Sequence, residues 1–119
     1  MSFFAQLLES IGLRKREAHV GLRPHRDVVL AVGIEVTHER ALDALARVLG
    51  ANVYVDDRLT HTIEAGFGTL NQERIRVSLV SESVVETRVH IEAYFPAGVE
   101  RPKHSLAVDT LAGALSSRA

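Results

Sequence analysis

There is no cysteine in this chain and no tryptophan, and two lysines stand beside twelve arginines. Without thiols there can be no disulfide, no thiolate metal site and no cysteine nucleophile. Aromatic residues make up only 5% of the 119 positions, so Leu, Val, Ile and Ala must fill the core. No apolar run approaches the roughly 20 residues that a membrane-crossing helix needs. The opening MSFFAQLLESIG has Glu9 inside its apolar part and no basic residues ahead of it, unlike a secretory signal. A cytoplasmic protein is the expectation. Charged residues at 24% and hydrophobic residues at 46% are ordinary for a folded domain, and the length suits a single one.

The strongest pattern present is Glu73 to Phe95, ERIRVSLVSESVVETRVHIEAYF. Ile75, Val77 and Leu79 alternate with Arg74, Arg76 and Ser78. Beyond Ser81-Glu82-Ser83, Val85, Thr87, Val89, Ile91, Ala93 and Phe95 share one face, and Glu86, Arg88, His90, Glu92 and Tyr94 the other. Period two over this length predicts two antiparallel strands, each buried on one side, with a turn at 81–83. A slip of one residue would carry the whole apolar set into water, so the pairing is well specified.

Other elements follow in order. Residues 3–11 set Phe3, Phe4, Leu7, Leu8 and Ile11 at helical spacing, with Gly12 as a stop. This N-terminal amphipathic helix (residues 1–13) precedes a basic connector (14–26) in which Arg14, Lys15, Arg16, Arg23 and Arg26 face only Glu17. That segment carries a net +4, leaving −5 for the rest of a chain whose total is −1. A single α+β domain over 27–117 is expected next. Asp27 to Val36 reads as a strand, with Gly33 marking a bulge or the close approach of another element. Thr37 caps a helix whose buried stripe is Ala41, Leu42, Leu45, Ala46, Val48 and Leu49, and Gly50 ends it. Asn52–Val55 is a short strand, Asp56-Asp57 a turn, and Leu59–Phe67 a longer strand with Leu59, His61, Ile63, Ala65 and Phe67 inward. A last helix opens near Pro102 or Ser105, with Ser105 favoured as the cap because Lys103 and His104 would sit badly in the positive end of a helix. It buries Val108, Leu111, Ala112 and Leu115, helped by Leu106 and Ala107.

The order β-α-β-β-β-β-α over about residues 27–117 resembles the TBP-like and helix-grip architectures, in which an antiparallel sheet curves around a C-terminal helix. The resemblance is one of topology, and no family motif accompanies it. It implies a fold and not an activity. The short, Ala-rich last helix departs from the larger helix-grip proteins that enclose a roomy cavity.

Chemistry is sparse. Six histidines show no i, i+2 or i, i+4 pairing. His38-Glu39 begins like the zinc-protease signature, but Leu42 stands where its second histidine belongs. Asp56, Asp57 and His61 could meet at a hairpin mouth, although adjacent aspartates are ordinary turn residues. Gly66 to Asn71 has GxG spacing, yet the helix that a phosphate loop requires is replaced by a strand. No catalytic residue, metal site or cofactor is therefore assigned. Glutamates offset the sheet arginines and Tyr94 is the lone stacking residue, which argues against nucleic acid. What is left is an interaction protein. Arg74, Arg76, Arg88, His90 and Tyr94 on the polar sheet face would contact a partner or a second copy, as would Phe3, Phe4, Leu7, Leu8, Arg14, Lys15 and Arg16 at the N-terminus. A homodimer is the expected assembly. Two alternatives stay open: a small apolar ligand held between the sheet and the last helix, beside Ala107, Ala112, Gly113 and Ala114, and membrane-surface attachment through residues 1–16.

Overall fold

A computed structural model describes residues 24–95 and 104–118. The expectations for residues 1–23, which include Phe3, Phe4, Leu7, Leu8, Arg14, Lys15 and Arg16, lie outside the described residues. Strand β1 (His25–Leu30) leads into helix α1 (Ile34–Arg47). Strands β2 (Asn52–Asp57), β3 (Thr62–Gly66), β4 (Arg74–Ser83) and β5 (Glu86–Tyr94) follow, then helix α2 (Leu106–Arg118). The strands form one antiparallel sheet in the order β1-β5-β4-β3-β2, and the fold is α+β.

The alternation across Glu73–Phe95 builds the floor of the core. Ile75, Val77, Val89, Ile91 and Ala93 are fully buried, and Leu79 nearly so. They meet Leu30, Ile63 and Ala65 from the other strands, Ala41, Ala44 and Leu45 from α1, and Val108, Leu111 and Leu115 from α2. Each such side chain stabilises the fold by roughly 1.5–3 kcal/mol. Helix α2 packs on β1 and β5, and α1 on β2 and β4, so both helices cover the same face of the sheet.

Several boundaries differ from expectation. The first strand ends at Leu30 rather than Val36, and His25 and Arg26 belong to it rather than to the connector. Gly33, not Thr37, is the N-cap of α1. Thr37 lies inside the helix and donates its hydroxyl to the Gly33 carbonyl at 2.9 Å. The cause is a close approach: a Cβ on Gly33 would stand 2.9 Å from the Val84 carbonyl oxygen, so only glycine fits beside the β4–β5 turn. The buried stripe of α1 accordingly begins a turn earlier, with Thr37 and His38. Ala46 and Val48 are exposed where burial was expected. The hairpin turn is Val84-Val85 rather than Ser81–Ser83, which stays in β4, and Val85 is exposed rather than buried. Ser83 Oγ accepts the Val85 amide and Ser81 Oγ donates to the Ser83 carbonyl, so the polar side chains brace the turn from its shoulder. Leu106 is 82% exposed and takes no part in the α2 stripe.

Other features match. Gly50 has φ +65° and closes α1, with the Ala51 amide on the Leu45 carbonyl. Asp43 and Arg47 pair at 2.7 Å. Ser105 Oγ accepts the Val108 amide at 3.1 Å and caps α2.

Candidate functional sites

Two polar networks stand out, one on each side of the sheet. On the side that no described element covers, pairing aligns side chains in rows, because directly opposed residues of antiparallel strands share a face. One row runs His25, Glu92, Arg76, Glu64 across β1, β5, β4 and β3. The next holds Tyr94, Arg74 and Gly66. Arg76 donates to Glu64 at 3.2 Å and lies 5.0 Å over the Tyr94 ring, and Arg74 lies 5.4 Å over Tyr54. Tyr94 donates to Glu64 at 2.7 Å, so the 2.8 Å contact between the two phenols must be Tyr54 donating to Tyr94. Partial burial, then the hydrogen bonds to Tyr54 and Glu64, push the Tyr94 hydroxyl well above its usual range. Burial alone would loosen the Arg76 proton, but Glu64 and Glu92 outweigh it and the cation is held more firmly. His90 pairs with Asp27 at 2.9 Å and Arg88 with Glu82 at 2.8 Å. The sheet-face residues named from the alternation, Arg74, Arg76, Arg88, His90 and Tyr94, therefore do share one surface.

The second network lies on the helix side, where β2, β3 and α1 meet. His38 on α1 has no exposed surface. Its Nε2 lies 2.6 Å from Asp56 Oδ1 and its Nδ1 lies 2.9 Å from Nδ1 of His61. Nε2 of His61 stands 3.4 Å from Glu35, and Arg58 bridges Asp56 and Glu39. The His38 hydrogen bond is the main cause that holds the Asp56 carboxyl below its usual range, against partial burial. Asp57 is lowered as well, by the amides of Thr60 and Leu59 that it accepts.

Local backbone irregularities assemble this chain. Val53 pairs with Ala65 and Val55 with Glu64, leaving Tyr54 as an unpaired bulge residue. Unbroken alternation from Val53 would point Asp56 at solvent. The extra residue reverses the alternation, sets Asp56 opposite buried Ile63, and delivers its carboxylate to His38. Across the turn, Asp57 captures two amides and His61 adopts φ +53°, which stops β3 from starting at Leu59. Leu59 is thrown into solvent, 95% exposed, and His61 is a turn residue beside α1 rather than a strand residue under it. Asp56 and His61 thus do converge, but on a third side chain. Among the described residues no group of three or more His, Asp or Glu is arranged to hold a metal ion. Glu35 stands in front of the outer His61 nitrogen, where it would repel an incoming phosphate or carboxylate.

The GxG segment lies at the far end of β3. Gly68, Thr69, Gln72 and Arg74 border an open depression of about 460 Å³, and Gly68 has φ +94°. On α2, Ala112 is buried, while Gly113 faces open space. No described helix is long and apolar enough to cross a membrane. No protein family matches the chain, and no curated protein is found to be similar to it.

Proposed function

We propose that this chain is a small interaction domain that pairs with a second copy of itself through the uncovered face of its sheet. The observation that carries the proposal is the row His25, Glu92, Arg76, Glu64. Its four polar members hold Glu92 and Arg76, of opposite sign, at their centre, and apolar Val55 of β2 extends the row at one end. A two-fold axis parallel to the strands, midway between β4 and β5, therefore lays Glu92 on Arg76 of the second copy and His25 on its Glu64. The same operation sets Tyr94 against the second Arg74, a cation over a ring. The offset of about 30° between face-to-face sheets tilts that axis by about 15° from the strands, so matching is tightest near it, where Arg76 and Glu92 lie. The order β1-β5-β4-β3-β2, with the first strand beside the last, supports the helix-grip likeness of this platform.

The face is small. The axis leaves β2 outside the overlap, and four strands about 4.8 Å apart and about 20 Å long offer a projected area of roughly 400 Å², below the ~800 Å² per partner of standard interfaces. A weak, concentration-dependent dimer follows, and the apolar residues at 3–11 are the segment available to enlarge it. Light scattering between about 5 and 500 μM tests the arrangement through charge reversal. Arg76→Glu and Glu92→Arg each place like charges across the axis and should be monomeric. In their equimolar mixture the introduced glutamate of one variant meets the introduced arginine of the other. The second contact is then the native one, Glu92 of the first variant on Arg76 of the second, so the mixture should dimerise. Circular dichroism checks that each variant is folded. A wild-type chain that stays monomeric throughout, or a mixture that does, refutes the assembly.

A further inference from the structure

The histidine pair has a property that follows from donor and acceptor counting alone. Two ring nitrogens 2.9 Å apart can hold one hydrogen between them and not two. With Nε2–H of His38 donated to Asp56, its Nδ1 presents a lone pair, and Nδ1–H of His61 supplies the single proton of the contact. One further proton has room at the other end of the chain, on Nε2 of His61, with Glu35 3.4 Å away. The two inner junctions are then hydrogen bonds, and the outer one is an ion pair at 3.4 Å. The next proton would have to enter Nδ1 of His38, and two N–H groups would point at each other.

We propose that this pair is a proton-gated latch: the second proton forces His61 off His38 and frees the β2–β3 turn from α1. The charged groups around the pair are Glu35 and Glu39 from α1, Asp56 and Asp57 from β2, and Arg58 from the turn. From β4 the neighbour is uncharged: the Leu79 amide, which donates to the His61 carbonyl at 3.0 Å. None of these groups removes the steric exclusion of two hydrogens from the 2.9 Å contact. His61 is also held with φ +53°, a left-handed conformation that a residue with a Cβ adopts only at a cost, so an opened turn has strain to release. The latch does not depend on the pairing of two copies, since it lies on the opposite side of the sheet.

The Leu79 amide reports the state of the turn, because its acceptor is His61 itself. A solvated histidine takes a proton below about pH 6.5, and an opening that binds one extra proton becomes about tenfold more populated per pH unit below that value. Hydrogen exchange followed by NMR on the full chain should therefore show the Leu79 protection factor falling about tenfold per pH unit. The Ala93 amide, bonded to the Pro24 carbonyl at 3.0 Å, should change far less. Nitrogen-15 spectra of the rings should show Nδ1 of His38 gaining its proton only at the pH where the Leu79 protection is lost. His61→Asn, which tolerates positive φ and cannot take up a proton, should leave Leu79 protection flat with pH. Protonation of both rings with Leu79 still protected overturns the latch. So does a parallel loss at Ala93, which would mean global unfolding, and so does a pH-dependent Leu79 in His61→Asn.

Discussion

Ser105 offers a test in which two roles of one hydroxyl can be separated. It is 4% exposed, it accepts the Val108 amide as the cap of α2, and it donates to Glu73 at 2.5 Å, just before β4 begins. The hydroxyl thus ties the N-terminus of α2 to the start of the sheet's longest strand, and the helix end adds a favourable field for the Glu73 carboxylate. Removing a cap costs about 1 kcal/mol. Removing a hydrogen bond to a charged group costs about 1.5–3 kcal/mol, less here because Glu73 is only half-buried and can turn toward water. Ser105→Ala should therefore lose about 2–3 kcal/mol, measured as a lower midpoint in urea with an unchanged slope. Aspartate caps as well as serine does, so a pure capping role predicts that Ser105→Asp is nearly neutral. Donation to Glu73 predicts the opposite, because two carboxylates would then face each other with no hydrogen between them. Ser105→Asn should fall between wild type and Ala, since its amide can accept from Val108 and donate to Glu73. Combining Ser105→Asp with Glu73→Gln should recover most of the loss, because the glutamine amide supplies the missing donor. Ser105→Asp as stable as wild type would refute the double role, and so would a double variant no better than the single.

Three further outcomes follow from the packing and the charges. Leu30→Ala removes a fully buried side chain from the centre of the core and should cost about 3 kcal/mol by chemical denaturation, whereas Leu59→Ser at a 95% exposed position should change stability by less than about 0.5 kcal/mol. Tyr94→Phe leaves Glu64 without its phenol donor and Tyr54 without its acceptor, and should cost about 1–2 kcal/mol, more than Tyr54→Phe, which leaves the Tyr94–Glu64 bond intact. Asp56 and Asp57 are more acidic in the folded chain than the ordinary value of 3.8. Their contribution is therefore complete above that value and is lost as pH falls below it toward their folded pKa values. An acid titration of Asp56→Asn and Asp57→Asn should be flatter than wild type over that range.

The parts of the fold legible from residue types are those where one face is buried and the other wet. In the body of β4 and β5 every second residue is buried, and the alternation names them correctly from Ile75 to Leu79 and from Thr87 to Ala93, because a single shift would expose them all. Ser105 and Gly50 are equally readable, since capping and positive φ are local chemistry. The run DVVLAVGIEV is a different case. Its residues are apolar on both faces, so periodicity cannot say where the strand stops, and the boundary is set by contacts far away in the chain. The Thr87 hydroxyl holds the Val32 carbonyl at 2.9 Å, and the Val84 carbonyl excludes any side chain at Gly33. The valine turn at 84–85 is likewise decided by bonds that Ser81 and Ser83 make to their own neighbourhood, which alternation cannot weigh.

The histidine site was hidden for a related reason, and the same features explain why it exists. His38, Ala41 and Leu45 stand at i, i+3 and i+7, so extending the α1 stripe back one turn would have placed His38 in the core. Nothing so simple identifies its partners. Asp56 reaches His38 only because Tyr54 is an extra residue in β2, and His61 reaches it only because its backbone is left-handed. Both departures break the alternation that made the rest of the sheet readable. A strand that obeyed the pattern would have offered α1 the side chain of Val55 in place of the Asp56 carboxylate, and His38 would be buried with an unsatisfied Nε2–H, a cost of about 1–3 kcal/mol. The buried imidazole and the bulge are therefore a matched pair, and a chain that kept one without the other would be less stable than a chain with neither.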